Sequence, residues 1–157
     1  MQYAFYRYKS SYIKIGHESD LIFSIKLTDE IDSSNTQTKI TDSAFSQLKE
    51  YFLGRRKTFD LPIAIQGTTF QQKVYTALQQ LNYGETTTYK ALASKVGSPK
   101  AFRAVGSACH SNPLWIVVPC HRVLGSNKKL VGYAGGLEMK DSLLNLEKST
   151  IQSEKTR

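Results

Sequence analysis

Apolar residues in this chain repeat at two different periods, and the point where the period changes limits how it can fold. Leu21, Phe23, Ile25 and Leu27 alternate with their neighbours, so they predict a strand with one buried face. Tyr3–Tyr8 and Tyr12–Ile15 are weaker strand candidates, separated by Lys9-Ser10-Ser11. Residues 28–41 are polar and predict a loop. The spacing then becomes helical at Phe45, Leu48 and Phe52, and Gly54 offers the left-handed stop. Leu61-Pro62-Ile63-Ala64-Ile65 leads to a boundary near Gly67. This predicts two domains, 1–66 and 67–157, with strands confined to the first.

The second domain reads as mostly helical. Thr69 to Gln72 has capping-box spacing, and Phe70, Val74, Ala77, Leu78 and Leu81 follow as one stripe. Thr88 can cap a short helix carrying Leu92 and Val96 inward, with Gly97 as its stop. Ser98-Pro99 then predicts a second helix over 100–108, with Ser as N-cap and Pro at the first helical position. Two short helices joined this way suggest a helix-turn-helix. The second has small residues at Ala101, Ala104, Gly106, Ser107 and Ala108 beside a long Arg103. That face suits either close approach to a partner or a tight internal helix contact. A last helix is expected over 137–148, with Leu143, Leu144 and Glu147.

Charge follows the same division. Residues 1–65 hold 9 Lys+Arg and 8 Asp+Glu, and residues 66–157 hold 12 and 5, so +7 of the formal +8 lies in the second part. A polyanion such as nucleic acid is a fair partner for that part. No eighteen-residue apolar window is present, and the first residues lack a signal-peptide layout. A cytoplasmic protein with reduced thiols is therefore expected, with no membrane partner.

One segment carries chemistry. Leu114–Val118 is apolar and delivers Pro119-Cys120-His121-Arg122-Val123. A thiol in apolar surroundings is usually inert, but here a base and a fixed cation follow it directly. His121 can take the proton and Arg122 can favour the thiolate, as an activated sulfur nucleophile requires. Cys109-His110 with Cys120-His121 makes a poor zinc set, because adjacent Cys-His pairs seldom turn both side chains to one metal. The local signatures of cysteine proteases are absent. A merely structural thiol stays open on spacing alone.

Residues 68–147 resemble the O6-alkylguanine-DNA alkyltransferase family. The marks are Asn112-Pro113, Ile116-Val117-Val118-Pro119-Cys120-His121-Arg122-Val123, Gly132-Tyr133-Ala134-Gly135-Gly136-Leu137, and Glu147. The resemblance implies an α/β (α+β) fold, with a ribonuclease-H-like N-terminal sheet and helix. A winged-helix-like C-terminal domain would contain the helix-turn-helix. It implies irreversible, single-turnover transfer of a methyl or alkyl group from O6 of guanine, and from O4 of thymine, to Cys120. His121 would act as base through a water, and Glu147 would orient its far nitrogen. Asn112 would be a hinge between the recognition helix and the active-site strand. Tyr133 would donate a hydrogen bond to the leaving guanine. Val118, Trp115 and Ala134 would form the substrate pocket.

The resemblance further implies a monomer that binds double-stranded DNA through the minor groove, where small residues at Ala101, Ala104 and Ala108 fit. Arg103 would fill the space of a flipped base, and Tyr89 would crowd the target phosphate. Arg122, Lys100 and the cations Lys90, Lys95, Lys128 and Lys129 would meet DNA. No metal or other cofactor is implied. Trp115 stands where some members carry a proline, and Ala134 where a serine is common, so the adduct range is open. Cys109 reads as a packing residue. A pure lesion-binding module and a sequence-specific regulator are the rivals. The acceptor cysteine counts against the first and indifference to lesions would mark the second.

Overall fold

In a computed structural model, residues 1–156 are described, and the chain divides into two compact units. One is Met1–Gln66 with Pro113–Trp115, and the other is Gly67–Asn112 with Ile116 onward. Three residues expected in the second domain thus belong to the first unit.

The first unit is an antiparallel sheet in the order β1 (Gln2–Tyr8), β2 (Ser11–Glu18), β3 (Leu21–Thr28), followed by α1 (Lys39–Phe52). The predicted single face of β3 is broken. Gly16 pairs with Ser24 and His17 with Ile22, so Phe23 is an extra residue in the strand. The bulge flips the alternation, and Ile22 and Ile25 are both fully buried while Leu21 is 37% exposed. Thr38 and Thr41 form the capping box of α1, and Gly54, at φ +72°, follows its end. Ala44, Leu48 and Tyr51 fill the buried side of α1, whereas Phe45 and Phe52 stack on Tyr6 and Tyr8 of β1.

The outer edge of β3 is closed by two short parallel bridges. Ile22 N–H donates to Pro62 O at 2.8 Å, and Ala64 N–H returns to Ile22 O at 2.9 Å. Ile25 N–H donates to Pro113 O at 2.8 Å, and Trp115 N–H returns to Ile25 O at 3.1 Å. Covering that edge satisfies backbone groups that would otherwise recruit another strand. It also explains why 113–115 leaves the second unit.

The second unit contains α2 (Thr69–Gln79), α3 (Tyr89–Lys95), α4 (Phe102–His110) and α5 (Leu137–Lys155). The capping box of α2 is Thr68 with Gln71, one residue before the predicted Thr69 and Gln72, because Gln72 donates instead to Gly67 O. Thr88 caps α3 as expected, and Gly97 takes φ +82° after it. The next helix starts later than predicted. Ala101 N–H bonds to Ser98 O, so Pro99 sits inside a turn and Ala101 is an N-cap without side-chain help. Val105, Ala108 and Cys109 form the buried side of α4, while Phe102, Arg103, Ala104 and Ser107 face out. Ala108, expected in a DNA-facing small stripe, is 2% exposed and belongs to the core.

Sequence reading missed β4 (Thr87–Thr88) and β5 (Val123–Leu124), which pair in parallel, Thr87 with Val123 and Thr88 with Leu124. α5 runs past the predicted end at 148. Its Ile151 side chain packs against Gly84, where a Cβ would collide with it and φ is +82°. Among the described residues no helix is long and apolar enough to cross a membrane.

Candidate active site

The site is assembled within the second unit from Asn112, the segment 116–124 and the inner face of α5. Asn112 is buried one residue past the C-cap of α4, and its Nδ2 donates to Val118 O at 2.8 Å. Ile116 is held at φ +75°, a left-handed conformation that costs a β-branched residue about 1–3 kcal/mol. Surrounding packing must over-determine it. The segment before Cys120 is therefore not the strand implied by the resemblance. It is a tied loop, and Cys120–Arg122 forms a 3₁₀ turn that hands over to β5.

Behind the thiol lies a buried charge relay. His121 is fully buried, Glu147 is 1% exposed, and His121 Nε2 lies 2.6 Å from Glu147 Oε2. Arg122 grips the same carboxylate twice, Nε to Oε1 at 2.8 Å and Nη2 to Oε2 at 3.1 Å. Its Nη1 donates to Leu81 O at 3.2 Å, and Gly84 N–H donates to Glu147 Oε1 at 2.9 Å. Arg122, expected at the DNA and as the cation for the thiolate, instead neutralises Glu147. A guanidinium spent this way in the interior is not offered to a phosphate.

The electrostatics follow from burial. Desolvation opposes ionisation of Glu147, but the hydrogen bond and charge of His121, then those of Arg122, outweigh it and hold the carboxyl down at about 2. Burial pulls His121 below its ordinary value despite Glu147, so the ring is neutral at neutral pH. An ionised Glu147 accepts from Nε2–H, which puts the basic lone pair on Nδ1. Burial, then the neighbouring Cys109, push the Cys120 thiol up, against a hydrogen bond from Asn112 and the charge of Lys140. The resting thiol is thus protonated, and a base must act at the moment of attack.

Cys120 opens into a cavity of about 250 Å³. Tyr89 of α3, Gly106, Cys109 and His110 of α4, and the loop residues Val131, Gly132 and Tyr133 complete its walls. Burial, then the charge of Cys120, push Tyr133 well above the ordinary phenol range, so it stays a neutral donor. The three expected pocket residues do not line this cavity. Val118 spends its carbonyl on Asn112 and on Cys120 N–H, Trp115 pairs with Ile25, and Ala134 sits in the turn closed by Gly136 N–H to Tyr133 O. Cys109, read as packing only, is a wall of the cavity. Among the described residues no cluster of three or more His, Cys, Asp or Glu could hold a metal.

Lys140 was missed entirely. It is fully buried, and its Nζ donates to Val131 O at 2.6 Å and Gly132 O at 2.9 Å. The signal was available, because Lys140, Leu143 and Glu147 recur at helical spacing and share one face.

Two family models match the chain. The 6-O-methylguanine DNA methyltransferase DNA binding domain covers residues 69–149, and the ribonuclease-like domain of the same enzyme covers residues 1–65. The chain belongs to this family. A constitutive methylated-DNA–protein-cysteine methyltransferase of Bacillus subtilis is 49% identical over 144 residues, 85% of this chain and 87% of that protein. One from Methanosarcina mazei is 44% identical over 142 residues, covering 87% and 90%. Among solved structures, Mycobacterium tuberculosis OGT in complex with DNA superposes with a TM-score of 0.87 at 36% identity, covering 96% of this chain and 94% of that one. The methyltransferase fold implied by the sequence, a small N-terminal antiparallel sheet followed by a helical domain, is the one observed.

Proposed function

We propose that Cys120 is the acceptor of this methylated-DNA–protein-cysteine methyltransferase. The protein performs direct-reversal DNA repair by alkyl transfer to cysteine, and it binds DNA. The observation that carries the assignment is the His121–Glu147–Arg122 relay fixed beside a buried thiol that opens into a cavity.

The reaction balances on this chain's own groups. The Cys120 proton passes to His121 Nδ1 through a water, and the imidazolium is stabilised by Glu147. The thiolate attacks the alkyl carbon, forming C–S while the bond from carbon to O6 breaks. Guanine leaves as its O6 anion and takes a proton from Tyr133, which is made good from His121. The product is a thioether, and no group of the site reverses it, so one chain repairs one lesion. O4-alkylthymine offers the same carbon–oxygen bond.

A base stacked in duplex DNA cannot reach this thiol, so the nucleotide must be flipped, at a cost of a few kcal/mol. Exposed Arg103 and Ala104 of α4, with Lys100, Lys90, Lys95, Lys128 and Lys129, support a minor-groove approach to double-stranded DNA. Tyr89 lies at the cavity wall where a flipped nucleotide would enter.

Incubation with an oligonucleotide containing O6-methylguanine tests the reading. Peptide mass spectrometry is expected to find one methyl per chain, on Cys120 and not on Cys109. Methyl on any other residue would refute the assignment. Arg103→Ala tests extrusion separately. Single-turnover repair of a paired lesion should slow about 10–100-fold, while repair of the same lesion left unpaired stays near wild type. An equal loss on both substrates would remove Arg103 from that role.

A further inference from the structure

The mechanism above leaves one charged group at the site unused. Tyr89 of α3, Cys109 and His110 of α4 and Tyr133 of the loop share the cavity with Cys120, and Asn112, Tyr75 of α2 and Lys140 of α5 act on its charge from around it. Burial, then negative charge on the two cysteines, raises Tyr75 and Tyr89, each to about 12, so these phenols are neutral. His121 is neutral as well, and the charge of Arg122 is cancelled by Glu147. Among the described residues around Cys120, Lys140 brings a positive charge whose hydrogen bonds go to carbonyls rather than to a carboxylate. Those carbonyls belong to Val131 and Gly132, two walls of the cavity, and the ammonium lies 5.6 Å from the centre of the Tyr89 ring, a third wall.

We propose that Lys140 is the positioning residue of the acceptor site: its ammonium pins residues 131–132 at the cavity and supplies the positive charge against which the Cys120 thiolate forms. A buried cation with dipolar partners keeps its field, whereas an ion pair spends it. The influence is reciprocal, since burial pulls Lys140 below its ordinary value and the cysteines pull it back up. Arg122, the residue next in sequence, cannot serve because Glu147 holds it. The inference rests on Cys120 as the acceptor, and it adds the cation that the acceptor uses.

The test is the pH profile of Cys120 alkylation by iodoacetamide in the full chain, with Cys120 and Cys109 peptides counted separately. Lys140→Met should move the Cys120 midpoint up by about one pH unit, about tenfold less reaction at neutral pH, and Lys140→Arg should restore it. Lys140→Gln keeps donors for the two carbonyls but no charge, and it should show the same shift. If Met fails to fold, Gln decides. An unchanged midpoint, even with a uniformly lower rate, would overturn the proposal and leave Lys140 a structural residue. Iodoacetamide needs no DNA, so a shifted midpoint with no methyl transfer from the oligonucleotide would instead fault the acceptor assignment.

Discussion

Cys120→Ser is expected to bring methyl transfer from an O6-methylguanine oligonucleotide below detection while binding of the same duplex stays near wild type. Serine has nearly the same size, so the 3₁₀ turn and the Asn112 tie should survive. Its hydroxyl is far harder to ionise than a thiol, and the site is already dry enough to push the thiol up. The neutral imidazole of His121, even with Glu147 behind it, is too weak a base to generate an alkoxide in such a site. Cys109 shares the cavity but should not substitute, because its neighbour His110 is exposed rather than buried against a carboxylate. The measurements are loss of the lesion from the oligonucleotide and the mass of each cysteine peptide. Methyl appearing on Cys109 in the variant would show that the cavity, and not the relay, selects the acceptor.

Glu147→Gln should damage both stability and rate. Glu147 is the shared partner of His121, Arg122 and Gly84 N–H. An amide leaves Arg122 buried without its counter-charge, a change that costs about 3–5 kcal/mol. The fall of the carboxyl from 4.5 to about 2 corresponds to a similar figure, about 3 kcal/mol. Proton transfer should slow at least about 100-fold, since an amide neither fixes the imidazole tautomer nor stabilises the imidazolium. The sign with pH is definite. A carboxyl depressed on folding stabilises above its unfolded value of 4.5, and the contribution is lost as pH falls toward about 2. His121, also lowered on folding, adds a loss that begins below its ordinary 6.5. Urea unfolding of the wild type should therefore weaken from neutral pH into acid. The variant should start weaker and lack the lower limb of that decline. Equal stability of the two proteins at neutral pH would contradict the buried relay.

Much of this site was legible in the chain because its chemistry is local. Pro119-Cys120-His121-Arg122 puts a thiol, a base and a cation side by side, and Thr88 and Gly97 mark helix ends through backbone groups within a few residues. Helix starts that depended on competing partners were misplaced. Gln72 reached Gly67 instead of closing a box, and the Ser98 carbonyl closed a turn before α4 began. The bulge at Phe23 could not be read either, since apolar residues at 21, 22, 23, 25 and 27 fit either face until the strand is paired.

What the amino-acid order offered by itself was a candidate acceptor cysteine with a candidate base beside it, the division of charge, and the main strands and helices without the β4–β5 pair. These depend on neighbours in sequence or on a period. What only the tertiary structure decided was how charge is shared. Glu147 lies 25 residues from Arg122 and takes its guanidinium out of service as a DNA contact. Lys140, two turns before Glu147 on α5, is buried with its ammonium on the carbonyls of Val131 and Gly132 at the cavity wall rather than on a carboxylate. In a low-dielectric interior a charge acts according to which opposite charge lies nearest in space, and that distance is not written in the spacing of residues along the chain.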